Sequence, residues 1–182
     1  AEFTRIARDM DSGLDKDKAI DRLERLRLNW HGDNLELKVL TLLGELYHEK
    51  KDYVNSMRVW NNGVKSFKNT ADAIDMARKM GEAFIIMFNE GIADKLPPLE
   101  ALALYYEYRN YMPTGTAGNE MIDRLAERLI SVDLLEQVAG LLDHQMRAQT
   151  AKERRSQIGA KLATTYILNH QPQKALTALQ DS

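Results

Sequence analysis

Apolar residues recur along this chain at intervals of three and four positions, the spacing of an α-helix with one buried face. In residues 35–50, one such face consists of Leu40, Leu43, Gly44 and Tyr47. The chain has only four prolines and ten glycines, so little interrupts these runs. The pattern predicts ten helices, near residues 3–11, 15–30, 34–50, 53–67, 71–89, 98–112, 119–131, 134–148, 151–169 and 172–181.

A small residue, preceded by a large apolar one and followed three positions later by another, recurs at a nearly constant interval. The five small residues are Ala7, Gly44, Gly81, Ala126 and Ala163, which are separated by 37, 37, 45 and 37 positions. A second residue of modest size follows twelve positions after most of them. Four positions further on stands a large apolar residue, which is Leu23, Trp60, Leu142 or Leu179. A small side chain lets a neighbouring helix approach closely, so the repeat predicts pairs of packed helices.

The third interval exceeds the others by eight residues (45 − 37). Adding eight to the offsets within that unit restores the pattern at Ala101 and Tyr105. The extra residues therefore lie between the two helices of the third unit, in residues 89–98. The sequence predicts one domain, 1–182, built from five helix pairs near 1–30, 34–68, 71–112, 119–148 and 151–182.

The second unit resembles the tetratricopeptide repeat signature at Leu40, Leu43, Gly44, Tyr47, Ser56, Trp60 and Gly63. The run Pro172-Gln173-Lys174-Ala175 at the start of the last helix is also similar to that family. The period is about three residues longer than the family's usual repeat, and Lys68 replaces its closing proline. Residues 101–147 also resemble large multi-repeat bacterial proteins. The resemblance implies an all-α fold, a right-handed superhelical solenoid of antiparallel helix pairs, and a protein-interaction function.

Composition excludes several classes of function. A formal net charge of −2 gives no overall attraction to nucleic acid or to an anionic membrane. No run approaches the roughly 20 apolar residues that span a bilayer, and no signal segment is recognisable. The absence of cysteine removes disulfides and thiolate metal ligands, while both the cytoplasm and the periplasm stay open as compartments.

No residue pattern in the chain predicts catalysis, a metal site or a cofactor. The four histidines stand in four different segments, without the short spacing that zinc ligands need, and are His31, His48, His144 and His170. Residues 114–118 are glycine-rich, but the lysine and hydroxyl of a phosphate loop are absent. The basic clusters 22–27 and 152–155 are interleaved with acids, which favours solvated helix faces. We therefore expect a protein that is not an enzyme.

The most aromatic stretch lies in the sixth predicted helix. Its four tyrosines are Tyr105, Tyr106, Tyr108 and Tyr111. Helical spacing favours packing for them, with a partner-binding platform as the alternative. We expect Met76, Met80 and Met87 to fill the core.

The resemblance implies that the first helix of each pair lines a concave groove, so the face of that helix turned away from the core is the expected ligand surface. In the second, third and fourth units this face consists of Lys38, Thr41, Glu45, His48 and Glu49, then Asp75, Arg78, Glu82, Ile85 and Ile86, then Glu120, Asp123, Glu127, Ile130 and Ser131. Carboxylates outnumber cations there seven to two. We expect a mildly acidic groove with an apolar floor, suited to a basic amphipathic or extended peptide. In the alternative interpretation the acids only keep the groove solvated.

Both ends of the repeat pattern lack the polar helix that usually covers the last apolar face of a repeat array. Leu176 and Leu179 in particular have no following helix. We expect either a segment of a longer array or an end face covered by another copy of the chain. A structural spacer without a separate ligand is thus the alternative to a peptide-binding scaffold.

Overall fold

The computed structural model describes residues 2–29 and 34–182, and the described chain consists of helices and their connections, without a strand. The α-helices are α1 Glu2–Asp11, α2 Lys16–Asn29, α3 Asn34–Glu49, α4 Tyr53–Ser66, α5 Ala71–Asn89, α6 Pro98–Tyr108, α7 Thr116–Ser131, α8 Leu135–Ala148, α9 Lys152–Leu168 and α10 Pro172–Asp181. Two short 3-10 turns occupy Ala93–Lys95 and Arg109–Tyr111. The prediction of an all-helical chain is therefore confirmed.

The predicted helix boundaries agree with these helices to within a few residues. The largest differences are at α7, which begins at Thr116 and not at residue 119, and at α6, whose last predicted turn is the 3-10 turn Arg109–Tyr111. The predicted end of the second helix at residue 30 and the histidine His31 lie outside the described residues.

Local sequence explains where several helices begin. The Asp52 carboxylate accepts a hydrogen bond from the backbone N–H of Asn55 at 3.2 Å, and Thr70 Oγ1 accepts one from Ala73 N at 3.2 Å. These side chains satisfy N–H groups that have no partner within the first turn of a helix. Pro98 and Pro172 occupy first-turn positions, where a missing N–H costs nothing.

The turns inside three helix pairs share one backbone conformation. Lys51, Asp133 and His170 each follow the small repeat residue by seven positions, and each has a positive φ, at 61°, 60° and 56°. A residue in this left-handed region ends a helix and reverses the chain within a few residues. The repeat is therefore present in the backbone as well as in the side-chain pattern.

The chain divides into two compact units, which are Ala1–Gly91 with Asn110–Met112, and Ile92–Arg109 with Pro113–Ser182. From here on, first unit and second unit mean these two compact parts, and each repeat of the sequence pattern is called a helix pair. Within the first unit, each helix from α1 to α5 packs against the next one along the chain. Within the second unit, α6 to α10 follow the same sequential order. The packing of each helix on its chain neighbour is what the paired-helix repeat predicts.

The small repeat residues differ in how closely they are approached. Gly44, Ala126 and Ala163 are buried, while Ala7 and Gly81 are half-buried. A Cβ at Gly44 would overlap the indole of Trp60, with Cε2 only 2.6 Å away, whereas a Cβ at Gly81 would meet nothing closer than Tyr111 Cδ1 at 3.7 Å. Of these two glycines, only Gly44 is demanded by packing.

Large apolar residues at the repeat positions form the core of each unit. Met76, Met80 and Met87 are buried as predicted, and so are Leu23 and Trp60 in the first unit. In the second unit Tyr105 and Leu142 occupy the equivalent buried positions. Leu179 differs, because 52% of its surface is exposed.

The predicted insertion is the connection between α5 and α6, and it contains the turn Ala93–Lys95. Arg128 of α7 fixes it in the second unit. The Arg128 guanidinium donates to the carbonyl oxygen of Ala93 at 2.7 Å and to that of Leu96. A largely buried guanidinium thus provides a partner for the carbonyl oxygen of Leu96 and a second hydrogen bond to that of Ala93, which also accepts one from Leu96 N at 3.1 Å.

Candidate functional site

The second unit contains an apolar cleft of about 310 Å³ between α7 and α9. Asp123, Glu127 and Ile130 contribute one wall from α7, and all three belong to the face predicted as a ligand surface. These residues are four and three positions apart, so they lie on one side of the helix. The opposite wall consists of Lys161, Thr164 and Leu168 from α9, which were not predicted.

Small side chains create the depth of this cleft. Ala126 and Ala160 stand where α7 and α9 face each other, and Leu142 of α8 closes the floor. Ile130 is 38% exposed and Leu168 is also exposed at its edge. An incoming apolar side chain would therefore remove apolar surface from water on several sides at once.

Two cations hold Asp123 at one rim of the cleft. Arg154 contacts its carboxylate at 2.7 Å and Lys161 contacts it at 2.8 Å. Burial by itself raises the pKa of Asp123, but the hydrogen bonds from Lys161 and Arg154 outweigh it and lower the pKa below its ordinary value. Asp123 therefore stays ionised and serves to join α7 to α9.

Glu127 is the carboxylate of the cleft that faces solvent. It is exposed on the α7 wall, and no ion pair or hydrogen bond joins its side chain to another described residue. Its charge is thus available to a cation that approaches from outside, whereas the charge of Asp123 is already matched.

In the first unit, the predicted face of α3 and α5 is a network of ion pairs. Lys79 contacts Glu45 at 2.6 Å and Asp75 at 3.0 Å. Burial lowers the pKa of Lys79, but hydrogen bonds from Lys79 to Glu45 and Asp75 raise it on balance. Arg78 adds contacts to Asp75 at 2.6 Å and to Glu82 at 2.5 Å. These acids are therefore matched by cations on the protein itself.

The other predicted residues of the first unit are used locally or stand apart. Thr41 Oγ1 donates to Leu37 O at 2.9 Å, and the ring of His48 lies against Tyr53 and Trp60, with centroid distances of 5.2 and 5.7 Å. Glu49 pairs with Lys16 of α2 at 2.7 Å. Lys38 is exposed on α3 outside the ion-pair network. In the second unit, exposed Glu120 lies outside the cleft lining.

Cations from neighbouring helices change the charge balance that the sequence indicated. In the first unit, Lys16 and Lys79 join Lys38 and Arg78, so four cations accompany the four predicted acids. In the second unit, the cations Arg154 and Lys161 both contact one predicted acid, Asp123. The ratio of seven acids to two cations thus holds for single helix faces and not for the folded surface.

Sequence reasoning missed these cations although a signal for them was present. Lys79 and Lys161 each precede the small repeat residue by two positions, and Arg5 and Arg124 occupy the same position in two other helix pairs. A basic residue at a fixed repeat position indicates an ion pair with an acid on the first helix of the preceding helix pair.

The remaining candidate residues that the structure describes do not line the cleft. Tyr105 and Tyr108 are buried, while Tyr106 is partly exposed, with the guanidinium of Arg109 6.0 Å from its ring centre. His144 lies within 3.3 Å of Arg109, and His170 occupies a turn. Within residues 2–29 and 34–182, no three His, Asp or Glu side chains form a group that could hold a metal ion.

A partly buried polar contact also joins the first two helix pairs. The Tyr47 hydroxyl of α3 donates to a Glu24 carboxylate oxygen of α2 at 3.1 Å. Burial, together with the nearby negative charge of Glu24, raises the pKa of Tyr47 to about 12. Of the basic cluster 22–27, Arg22 pairs with Glu2 and Asp9, and Arg27 pairs with Glu24, which supports a structural role for these arginines.

Comparison with protein-family models finds none that matches this chain. Comparison with curated proteins likewise finds no match. As for membranes, the described helices include none with both the length and the apolar character that a bilayer crossing requires.

Proposed function

We propose that this chain is a tetratricopeptide-like repeat protein whose pairs form a right-handed superhelical solenoid, and that it binds a segment of a partner protein. The 37-residue period, the packing of each helix on its chain neighbour within each compact unit, and the shared turn conformation support this assignment. Repeat arrays of this kind expose long helix faces, and such faces recognise peptides by adding apolar contacts over several side chains.

The single observation that carries the proposal is the cleft between α7 and α9. Its floor is apolar, and its walls are α7 and α9, the first helices of two successive helix pairs. Its rim carries the solvent-facing carboxylate of Glu127. A segment with apolar side chains at helical spacing and a Lys or Arg beside them matches this combination. The partner is therefore a basic amphipathic segment.

A displayed library of random twelve-residue peptides tests this assignment. Selection on the wild-type chain should enrich peptides with two or more large apolar residues and at least one Lys or Arg. Ile130→Glu, which places a charge in the cleft, should weaken the binding of these peptides at least about tenfold. Glu127→Lys should weaken the basic ones several-fold, because it reverses the free charge at the rim.

Two matched variants serve as controls. Leu99→Glu puts the same charge on an exposed leucine of α6, and Glu100→Lys reverses an exposed acid of that helix. Both should leave binding unchanged. If the selected peptides bound Ile130→Glu as tightly as the wild type, the cleft would not be the binding site.

The second candidate function is a spacer or self-assembly segment, which the exposed apolar residues of α9 and α10 favour. Sedimentation of the isolated chain at micromolar concentration distinguishes it. A concentration-dependent increase in mass that Leu176→Glu abolishes would support self-assembly, and a monomer would remove it. A spacer should retain no peptide in the selection.

A further inference from the structure

The cleft between α7 and α9 has a counterpart in the first unit. The repeat places an equivalent residue 82 positions before each residue of the lining (126 − 44 = 82). On this offset α3, α4 and α5 correspond to α7, α8 and α9. The pairs of corresponding residues at the base of the cleft are Gly44 and Ala126, His48 and Ile130, and Trp60 and Leu142.

In the first unit an aromatic ring fills this place. The indole of Trp60 is almost fully buried, with 1% of its surface exposed. It lies so close to α3 that a Cβ on Gly44 would overlap it, and its ring centre is 5.7 Å from that of His48. The indole thus occupies the space beside these two residues of α3.

In the second unit the side chain at the same place is smaller. Leu142 is buried but carries no ring, and it forms the floor of an open cleft of about 310 Å³. Ala126 and Ile130, which stand in place of Gly44 and His48, line that cleft. An apolar cavity of about 150 Å³ is large enough to bind benzene. The cleft therefore has room for an aromatic side chain from outside the chain.

A second difference concerns the wall of α9. In the first unit the long side chain of Arg78 extends along α5 and contacts Asp75 at 2.6 Å and Glu82 at 2.5 Å. The residues in place of Arg78 and Glu82 are Ala160 and Thr164, and both line the cleft. Their short side chains leave this wall open to a ligand.

A third difference leaves a negative charge beside the cleft. In the first unit Lys79 pairs with Glu45 at 2.6 Å. The corresponding lysine, Lys161, contacts Asp123 at 2.8 Å, and this aspartate stands where α3 has an uncharged threonine. Glu127, the counterpart of Glu45, therefore has no ion pair among the described residues. A basic group of a ligand can contact it without displacing a cation of the chain.

We propose that the partner supplies the aromatic side chain that is missing from this place, so that the bound segment carries Phe, Tyr or Trp within four positions of Lys or Arg. The ring packs on Ala126, Ile130 and Leu142, and the basic side chain pairs with Glu127. An aromatic ring buries a large apolar area with few rotatable bonds, which suits it to this role. The inference rests on the proposed peptide binding and narrows the anchor from any large apolar residue to an aromatic one.

Selection from the random twelve-residue library tests the anchor without any change to the chain. Enriched peptides should contain an aromatic residue within four positions of Lys or Arg. Replacing that aromatic residue by Leu should weaken binding at least about fivefold, because the ring removes more apolar surface from water. Enriched peptides that Ile130→Glu weakens but that contain no aromatic residue would overturn this inference and leave the proposed function standing. Peptides that bind Ile130→Glu as tightly as the wild type would overturn both.

A double variant fills the cleft from within. Ala126→Gly with Leu142→Trp reproduces in the second unit the contact of Gly44 with Trp60. It should weaken the binding of aromatic peptides at least about tenfold, because its own ring takes their place. Leu99→Trp, which puts the same ring on an exposed leucine of α6, is the matched control and should bind as the wild type does. Circular dichroism should show both proteins as helical as the wild type.

Ala160→Arg is a second variant, and it leaves the core untouched because Ala160 is exposed. It restores the arginine that α5 has at this position, so it should obstruct the wall of α9 and weaken the same peptides at least about tenfold. Ala148→Arg makes the same change at an exposed alanine of α8 outside the lining, and it should leave binding unchanged. Undiminished binding of aromatic peptides to Ala160→Arg, or to a fully helical double variant, would overturn the inference.

Discussion

The packing of Gly44 on Trp60 leads to a prediction about two glycines that the repeat treats as equivalent. Both Gly44 and Gly81 lie inside helices of the first unit, so changing either to alanine should gain about 1 kcal/mol of helix propensity. At Gly81 the new methyl group would meet Tyr111 at an ordinary 3.7 Å. Gly81→Ala should therefore leave the free energy of unfolding unchanged or raise it by up to about 1 kcal/mol.

At Gly44 the same methyl group would overlap a rigid indole that is almost fully buried. Overpacking of this kind typically costs about 1–3 kcal/mol, and this ring lies near the upper end because it has no free space to move into. After the gain in helix propensity, Gly44→Ala should lower the free energy of unfolding by about 1–2 kcal/mol. Urea titration followed by circular dichroism in the far ultraviolet measures both variants.

A double-mutant cycle isolates the contact. In Trp60→Leu the ring is absent, so adding Gly44→Ala should then cost much less than it does in the wild type. Trp60 suits this test because its indole N–H has no hydrogen-bond partner in the described chain, so the substitution breaks no such bond. An additive cycle, or a Gly81→Ala variant as destabilised as Gly44→Ala, would refute the reasoning.

Three further predictions concern single contacts. Arg128→Ala should free the loop between α5 and α6, so trypsin should cleave after Lys95 faster than it does in the wild type. Arg147→Ala, which changes an exposed arginine, is the control and should not accelerate this cleavage. An unchanged cleavage rate in Arg128→Ala would contradict the role of Arg128. Asp123→Asn should lower the free energy of unfolding by on the order of 1 kcal/mol at neutral pH. Because the pKa of Asp123 is lowered on folding, this difference from wild type should disappear as pH falls below about 4 in acid titrations, and a constant difference would argue against the ion pairs. The raised pKa of Tyr47 implies a contribution to the free energy of unfolding that is present below about pH 10 and is lost as pH rises towards about 12. In alkaline denaturation, Tyr47→Phe should therefore lose less stability over this pH range than the wild type. An equal loss in both proteins would contradict this contribution.

Helix positions and the pairing of chain neighbours could be predicted because both depend on local pattern. A buried stripe repeats every three to four residues, and a turn residue with positive φ repeats at Lys51, Asp133 and His170. How close two helices come could not be predicted, since it depends on the partner side chain. Gly44 meets an indole while Gly81 meets only the edge of Tyr111, although their sequence contexts look alike.

Burial at the last repeat positions shows the same limit. Leu142 and Leu179 occupy one position of the pattern, yet Leu142 is buried and Leu179 is half exposed. Side-chain type therefore indicates that a position is suited to a contact, whereas the neighbouring helix decides whether the contact is made. The groove residues were predicted from single helix faces, and a single face does not show which of its residues meet a second helix.

The ion pairs between successive first helices restrict what the predicted ligand face can do. Lys79 joins Glu45 in the first unit, and Lys161 joins Asp123 in the second, each from the same repeat position. A partner cation that approached either acid would have to displace a lysine already held at hydrogen-bonding distance, and it would gain little by the exchange. If the chain binds a peptide as proposed, selectivity would therefore come from apolar contact in the cleft and from Glu127, the acid to which this repeated lysine position supplies no partner.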